Sequence, residues 1–236
     1  MIEKDIPGFP GLVLAVSRIE HGSMPKTTGQ SQKKLANRDD FAGFLGFDAG
    51  GFCQAKPIHG AGVGFVTPDS GKVLRADILI TDVPGRLLAM AVADCPTVFL
   101  WARSRRAVCL IHAGWRGLVK EHVVSQAVEM FALAYSLRKS EISALLGPGI
   151  HKCCFEVKNN EDGLTNFASW PSFISGSDGR HFVDLAGIAK EQLYKSGVRT
   201  ISNTGECTCC SPARYFSFRR DKNSLRSIAV AGFMEG

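Results

Sequence analysis

The chain has 236 residues, enough to bury a large core without a disulfide or metal staple. Apolar residues make up 45% and charged residues 21%, an ordinary globular balance that points to one domain over residues 1–236. The net charge of +6 comes without an aromatic-interleaved basic array or a nucleic-acid motif, which argues against DNA or RNA as a partner. Met1 to Gly11 holds Glu3, Lys4, Asp5 and two prolines and no apolar core, so no signal peptide is expected. A reducing, cytoplasmic setting follows, with the eight cysteines free or metal-bound. The longest apolar run, Leu87 to Trp101, is interrupted by Asp94 and Pro96 and is too short to span a bilayer.

In chain order, Leu12 to Val16 reads as a strand, Ser23 to Gln32 as a loop, and Leu35 to Leu45 as a helix. Gly50 to Ala55 is a turn into a short strand, broken by Pro57, and Gly60, Gly62 and Gly64 leave the next segment unassigned. Ala76 to Thr81 and Leu87 to Val92 are short apolar runs split by the turn signal Pro84-Gly85. Thr97 to Ala102 and Ala107 to Ile111 read as paired strands joined through Arg103-Ser104-Arg105-Arg106. Leu118 to Leu137 is the strongest helix, with Val119, Val123, Ala127, Val128, Phe131 and Tyr135 mostly at three- and four-residue spacing. Ser143 to Leu146 is a strand ending at Gly147-Pro148-Gly149. Leu185 to Ser196 is a second helix between an N-cap at Asp184 and a C-cap at Gly197. Val198 to Ser202 and Ser227 to Ala231 are late strands. Without a strict βαβ rhythm, this mixture predicts an α/β sandwich, not a Rossmann fold.

The chemistry concentrates in Val108-Cys109-Leu110-Ile111-His112-Ala113-Gly114-Trp115-Arg116-Gly117, where an apolar run ends on histidine and a glycine turn delivers tryptophan and arginine. Ala93-Asp94-Cys95-Pro96 ends the apolar run upstream, and Ile58-His59-Gly60 lies earlier still. His59, Cys95 and His112, each at the edge of an element, can form a three-ligand metal site with an open position. Arg116, at the start of a helix, is placed to hold an anion such as phosphate. Asp94 is either a carboxylate orienting a ligand histidine or a turn cap. His21, His122, His151 and His181 read as structural or solvated. Cys207 to Cys210 meets the C-x₂-C spacing, but Cys153-Cys154 is not a matching pair, so the spacing argues against a second zinc. Glu156 is a base or a surface residue. The basic cluster Arg214, Arg219, Arg220, Lys222 and Arg226 is a solvated face or a pocket for an anionic group.

These motifs resemble the laccase-domain family, also called polyphenol-oxidase-like or zinc-dependent purine nucleoside phosphorylase. The likeness runs from Asn37-Arg38 nearly to the C-terminus. It is carried by HAGWRG at 112–117 with the upstream ADCP at 93–96, and by Ile58-His59-Gly60, Ala76-Asp77, Gly147-Pro148-Gly149-Ile150, Cys153-Cys154-Phe155-Glu156-Val157, Val183-Asp184-Leu185, Cys207-Thr208 and Phe216-Ser217-Phe218-Arg219-Arg220. Pro57 stands where the family usually has glutamine, and its N-terminal arginine, glycine and serine survive only loosely as Arg18, Gly22 and Ser23. The resemblance implies a four-layer α/β/β/α sandwich with mixed sheets. It implies zinc held by His59, Cys95 and His112, and phosphorolysis of purine nucleosides (adenosine, inosine, methylthioadenosine) with adenosine deamination as a second activity. In deamination, water activated by zinc would attack the purine carbon bearing the amino group. In phosphorolysis, phosphate near Arg116 would attack the sugar carbon.

Two other chemistries fit the same residues. Cys95 and His112 could be the nucleophile and base of a cysteine hydrolase acting on an amide such as a cell-wall peptide precursor. Two histidines and a cysteine are also a blue-copper set. Copper is less favoured than zinc, because no methionine adjoins a ligand motif and six histidines are too few for a multicopper oxidase. The oligomeric state is left open by the sequence.

Overall fold

The computed structural model describes all residues except Asp5, Pro7, 27–30, Arg103, 159–162, Ser177 and Gly236. Parts of the expected 23–32 loop and 103–106 connection, and Asp5 of the N-terminal segment, therefore lie outside the described residues. The first strands are β1 (Ile2–Lys4), β2 (Leu12–Val16), β3 (Phe52–Ala55), β4 (Val63–Phe65) and β5 (Val73–Leu74). Next come β6 (Ile78–Thr81), β7 (Leu87–Val92), β8 (Thr97–Ala102), β9 (Val108–His112) and β10 (Ile142–Leu146). The last are β11 (Glu156–Val157), β12 (Ile174–Ser175), β13 (His181–Val183), β14 (Thr200–Asn203) and β15 (Ser227–Phe233). The helices are α1 (Gln32–Leu45), α2 (Trp115–Lys120), α3 (Val123–Ala134), α4 (Leu185–Lys195) and the single turn α5 (Phe218–Asp221).

One mixed sheet runs β1-β2-β15-β7-β3-β5, a second runs β14-β10-β8-β9-β6-β4, and β11-β13-β12 form a small third sheet. The expected four layers follow from which face each residue presents. On β2, Leu12, Leu14 and Val16 pack between the two large sheets with Met90, Phe99 and Leu110. Val13 and Ala15 point the other way, onto Phe41, Ala42 and Leu45 of α1. The outer face of the second sheet, with Ile78, Val98 and Ile111, is covered by Val124, Val128 and Phe131 of α3 and by Ile188 and Leu193 of α4. Both faces of each large sheet are thus covered, which is why its strands read as continuous apolar runs.

The helix expected over 118–137 is two helices. His122 adopts φ +50°, in the left-handed region, so α2 stops at Lys120 and α3 restarts at Val123. Lys120, Glu121 and His122 at the break are exposed, but the flanking backbone groups of Leu118 and Val124 are buried and are met by one side chain. Gln192 of α4 is 2% exposed; its Nε2 donates to the Leu118 carbonyl at 2.7 Å and its Oε1 accepts from the Val124 N–H at 3.2 Å. A buried backbone group without a partner would cost about 1–3 kcal/mol, so Gln192 is what makes the break tolerable. Asp184 caps α4 as expected, accepting from the Gly187 N–H at 2.8 Å, and Gly197 follows the helix at φ +97°. The glycine-rich stretch left unassigned contains β4, which pairs in parallel with β6.

Candidate metal centre and flanking clefts

Pairing of β8 with β9 places Thr97 opposite His112, and the Ala113 N–H donates to the Pro96 carbonyl at 2.9 Å. The Cys95 turn and the end of β9 are therefore neighbours. This turn is also where the chain crosses from β7 in the first sheet to β8 in the second, with Asp94 at φ +82°. His59 arrives from the loop after β3, itself at φ +59°, and its ring centroid lies 5.2 Å from that of His112.

Asp77, just before β6, ties the two histidines together. Its carboxylate meets His112 Nδ1 at 3.0 Å and accepts the backbone N–H groups of Ile58, His59 and Gly60 at 3.3, 3.1 and 2.9 Å. Burial pushes the Asp77 carboxyl up, but the His112 ring and the Gly60 and His59 N–H groups more than offset this and hold it below the usual range. Burial also pushes the His112 imidazole down; the Cys95 sulfur and the Asp77 carboxylate overcome it and raise it to about 10. A ring set between a sulfur and a carboxylate is in surroundings that favour positive charge, whether a proton or a metal. His59, exposed on the rim, is pushed below its ordinary range first by burial of its inner edge and then by His112. It is therefore neutral, the form that ligates a metal.

Two glycines of HAGWRG are there for close approach. A Cβ on Gly114 would lie 2.9 Å from His112 Cε1, 3.3 Å from its Nε2 and 3.6 Å from Cys95 Sγ. Nε2 and the sulfur thus border the same space, with Nδ1 already engaged by Asp77. A Cβ on Gly117 would lie 2.7 Å from the Gly60 carbonyl oxygen, so α2 packs directly on the His59 loop. Two imidazoles and a thiol are a donor set suited to zinc. The three are less tightly grouped than a second set: the sulfurs of Cys153, Cys154, Cys207 and Cys210 all lie within 4.8 Å of one another.

Two clefts meet at Cys95. The larger, about 670 Å³, is walled by Trp115, Phe155, Phe167, Phe218 and Arg219. The smaller, about 540 Å³, is lined by Lys26, Lys56, His59, His112, Phe218 and Arg226. Ala93, Cys95 and Phe218 border both. Lys26 is held below its usual range by Arg226 first and by burial second, the mark of two cations crowded together. No methionine lines either cleft among the described residues.

The remaining candidates fall as follows. Arg116 is exposed on the first turn of α2, its guanidinium 4.5 Å from the Trp115 ring centroid. Asp94 does not orient a histidine; its Oδ1 accepts from Thr208 Oγ1 at 2.7 Å and its Oδ2 from the Arg219 N–H at 2.6 Å. Glu156 lines the larger cleft but is paired with Arg180 through two contacts of 2.9 Å, which hold its carboxyl low and leave it a weak base. His21 meets Phe41 edge-to-face, and His122 lies beside Trp170. Of the basic cluster, Arg219, Lys222 and Arg226 line the clefts, while Arg214 and Arg220 pair with Glu206 and Asp221. Asp77, Lys26 and Lys56 were not singled out by sequence. Asp77 stands in the Ala76-Asp77 motif, a signal that pairing with a histidine 35 residues away would have explained.

Residues 23–233 match the model of the family described as multi-copper polyphenol oxidoreductase laccase. A purine nucleoside phosphorylase of Deinococcus radiodurans is 33% identical over 202 residues, covering 83% of this chain and 76% of that protein. The chain belongs to the laccase-domain family. Purine nucleoside phosphorylase YlmD of Geobacillus stearothermophilus is 32% identical over 215 residues, covering 84% of this chain and 78% of that protein. The crystal structure of YlmD from that organism superposes with a TM-score of 0.87 at 28% identity, over 98% of this chain and 94% of YlmD. As a laccase-domain protein the chain shares the mixed-sheet sandwich of these relatives, and the two clefts lie on that framework.

Proposed function

We propose that this protein is a zinc-dependent purine nucleoside phosphorylase, cleaving adenosine, inosine or methylthioadenosine with phosphate to the free base and a ribose 1-phosphate. Adenosine deamination is proposed as a second activity of the same centre, and the cytoplasm as its location. No helix among the described residues is long and apolar enough to cross a membrane. The observation that carries the reading is that Cys95 borders both an aromatic cleft and a cationic one. The relatives' names supply the reaction.

In this reading the purine lies among Trp115, Phe155, Phe167 and Phe218, whose faces suit a flat heterocycle. Phosphate lies across Cys95 from it, where Lys26 and Arg226 are crowded and an anion relieves their repulsion. The ribose then spans the junction. A phosphate oxygen forms a bond to the anomeric carbon as the bond from that carbon to the purine nitrogen breaks, and the electron pair leaves with the base. Arg116 contributes a positive charge from the rim beside His59. His59, Cys95 and His112 would hold the zinc, His59 from the exposed rim. Bound there, zinc supplies a Lewis acid and lowers the pKa of water to about 7. Asp77 engages His112 Nδ1 at 3.0 Å, so Nε2 is the ring nitrogen that would meet the metal.

The contact between Cys95 and His112 also suits a thiol hydrolase. Chelation separates the two readings. The nucleoside enzyme should lose phosphorolysis and deamination of adenosine on metal removal and regain both with zinc. Full activity of metal-free enzyme, or Cys95-dependent cleavage of an amide with no nucleoside product, overturns the zinc reading.

A further inference from the structure

Cys153 and Cys154 lie on the turn between β10 and β11, and Cys207 and Cys210 on the turn after β14. The adjacent pair had no C-x₂-C partner in sequence; the fold supplies one. Parallel pairing of β10 with β14 sends both strand ends the same way, and beyond them Gly149 bridges to Cys207. The Thr208 N–H donates to the Gly149 carbonyl at 3.0 Å, and the His151 N–H points at Cys207 Sγ at 3.5 Å. The sulfur of Cys210 then lies 3.5 Å from that of Cys153 and 3.3 Å from that of Cys154.

These separations decide the chemistry. A disulfide needs sulfurs about 2.05 Å apart. Zinc with four thiolates at about 2.3 Å places the sulfurs about 3.8 Å apart along each tetrahedral edge. The observed spacings lie near that edge, and all four cysteines are free thiols. Thiolates are soft donors that select zinc over magnesium or calcium. Four protein ligands leave no open position, so the site is structural and not catalytic. Two guanidinium groups from α5 tie down the backbone of the two turns. Arg219 Nη1 donates to the carbonyls of Cys154 and Glu156 at 3.4 and 2.8 Å; Arg220 Nη1 donates to those of Thr208 and Cys209 at 3.0 and 3.1 Å.

We infer that Cys153, Cys154, Cys207 and Cys210 bind a second, structural zinc ion that clips the 151–157 turn to the 204–210 turn and so fixes one wall of the larger cleft. The clip reaches the candidate catalytic centre through Asp94. Thr208, between two cysteines of the cluster segment, donates to Asp94 Oδ1, and the Ile150 N–H donates to the Asp94 carbonyl at 2.7 Å. Asp94 in turn precedes Cys95. The four sulfurs share no ligand with His59, Cys95 and His112, so the site stands independently of the nucleoside chemistry.

The test uses full-length protein prepared under reductant and reconstituted with zinc. Wild type should hold two zinc ions per chain. A variant with Cys95→Ala and His112→Ala should keep one, with four sulfurs at about 2.3 Å by X-ray absorption. Adding Cys153→Ser and Cys210→Ser should remove it. Because these variants can misfold, a second measurement is made on wild type. Cys153 and Cys210 are exposed, yet their alkylation should be at least about tenfold slower with zinc than after chelation, with Cys209 as the internal control. No zinc in the Cys95→Ala, His112→Ala protein, fewer than three sulfurs around the zinc it holds, or equal alkylation rates with and without zinc overturns the site.

Discussion

Asp77 Oδ1 lies 3.0 Å from His112 Nδ1, and the same carboxylate gathers the main-chain N–H groups of Ile58, His59 and Gly60. One side chain that is 1% exposed thus orients one candidate ligand through its ring and places another through its backbone. Carboxylates that orient ligand imidazoles typically govern metal affinity. Asp77→Asn should lower zinc affinity at the His59–Cys95–His112 centre about 10–100-fold, read by competition with a chromophoric chelator. An unchanged affinity would remove Asp77 from this role.

The two close-approach glycines separate site geometry from fold. Gly114→Ala places a methyl 2.9 Å from His112 Cε1, against a side chain, so zinc affinity should fall more than thermal stability. Gly117→Ala places it 2.7 Å from the Gly60 carbonyl oxygen, against backbone that cannot step aside cheaply. Overpacking of this kind costs about 1–3 kcal/mol, so Gly117→Ala should show the larger loss in chemical denaturation. Equal effects of the two on stability would contradict the assignment.

Phosphate should distinguish the cleft from the rim. Loss of a charge-assisted hydrogen bond costs about 1.5–3 kcal/mol, or about one to two decades in affinity. Arg226→Ala should raise the KM for phosphate by about that factor, and Arg116→Ala by less, with both proteins folded. The opposite order in initial-rate kinetics would place phosphate at Arg116.

Glu206 gives a pH-dependent element of stability away from the site. Burial pushes its carboxyl up, but Tyr215, donating at 2.8 Å, and Arg214, donating at 2.7 Å, hold it below the ordinary glutamate value of 4.5. A depressed folded-state value means the stabilisation is complete above the unfolded-state value and is lost as pH falls through the folded one. Melting temperature should therefore drop more steeply below about pH 4.5 in wild type than in Glu206→Gln. Parallel profiles would show that Glu206 is not the group responsible.

Periodicity was enough to locate β2, β7 and β8 to the residue, because strands covered on both faces are apolar throughout. It was not enough to see the break at Glu121-His122. The apolar spacing from Val119 to Phe131 continues across it, and the partner that makes it tolerable, Gln192, is 68 residues from Val124. The same distinction holds at the site. His59, Cys95 and His112 could be chosen by residue type and by their places at element edges. Sequence leaves Asp94 open between an orienting carboxylate and a turn cap, because neighbourhood to Cys95 says nothing about which way its oxygens face; in the fold they face Thr208 and the Arg219 N–H.

By itself, then, the sequence determined the layered α/β class, the candidate ligand types and the glycines of the HAGWRG turn, since burial patterns and turn chemistry are local properties of the chain. Tertiary structure alone decided that Asp77 joins the two histidines and that Cys95 sits between an aromatic cleft and a cationic one. It also brought Cys153 and Cys154 to within reach of Cys207 and Cys210 across more than fifty residues. Each of these depends on strand pairing that brings distant loops to one end of a sheet, and chain spacing carries no record of those distances.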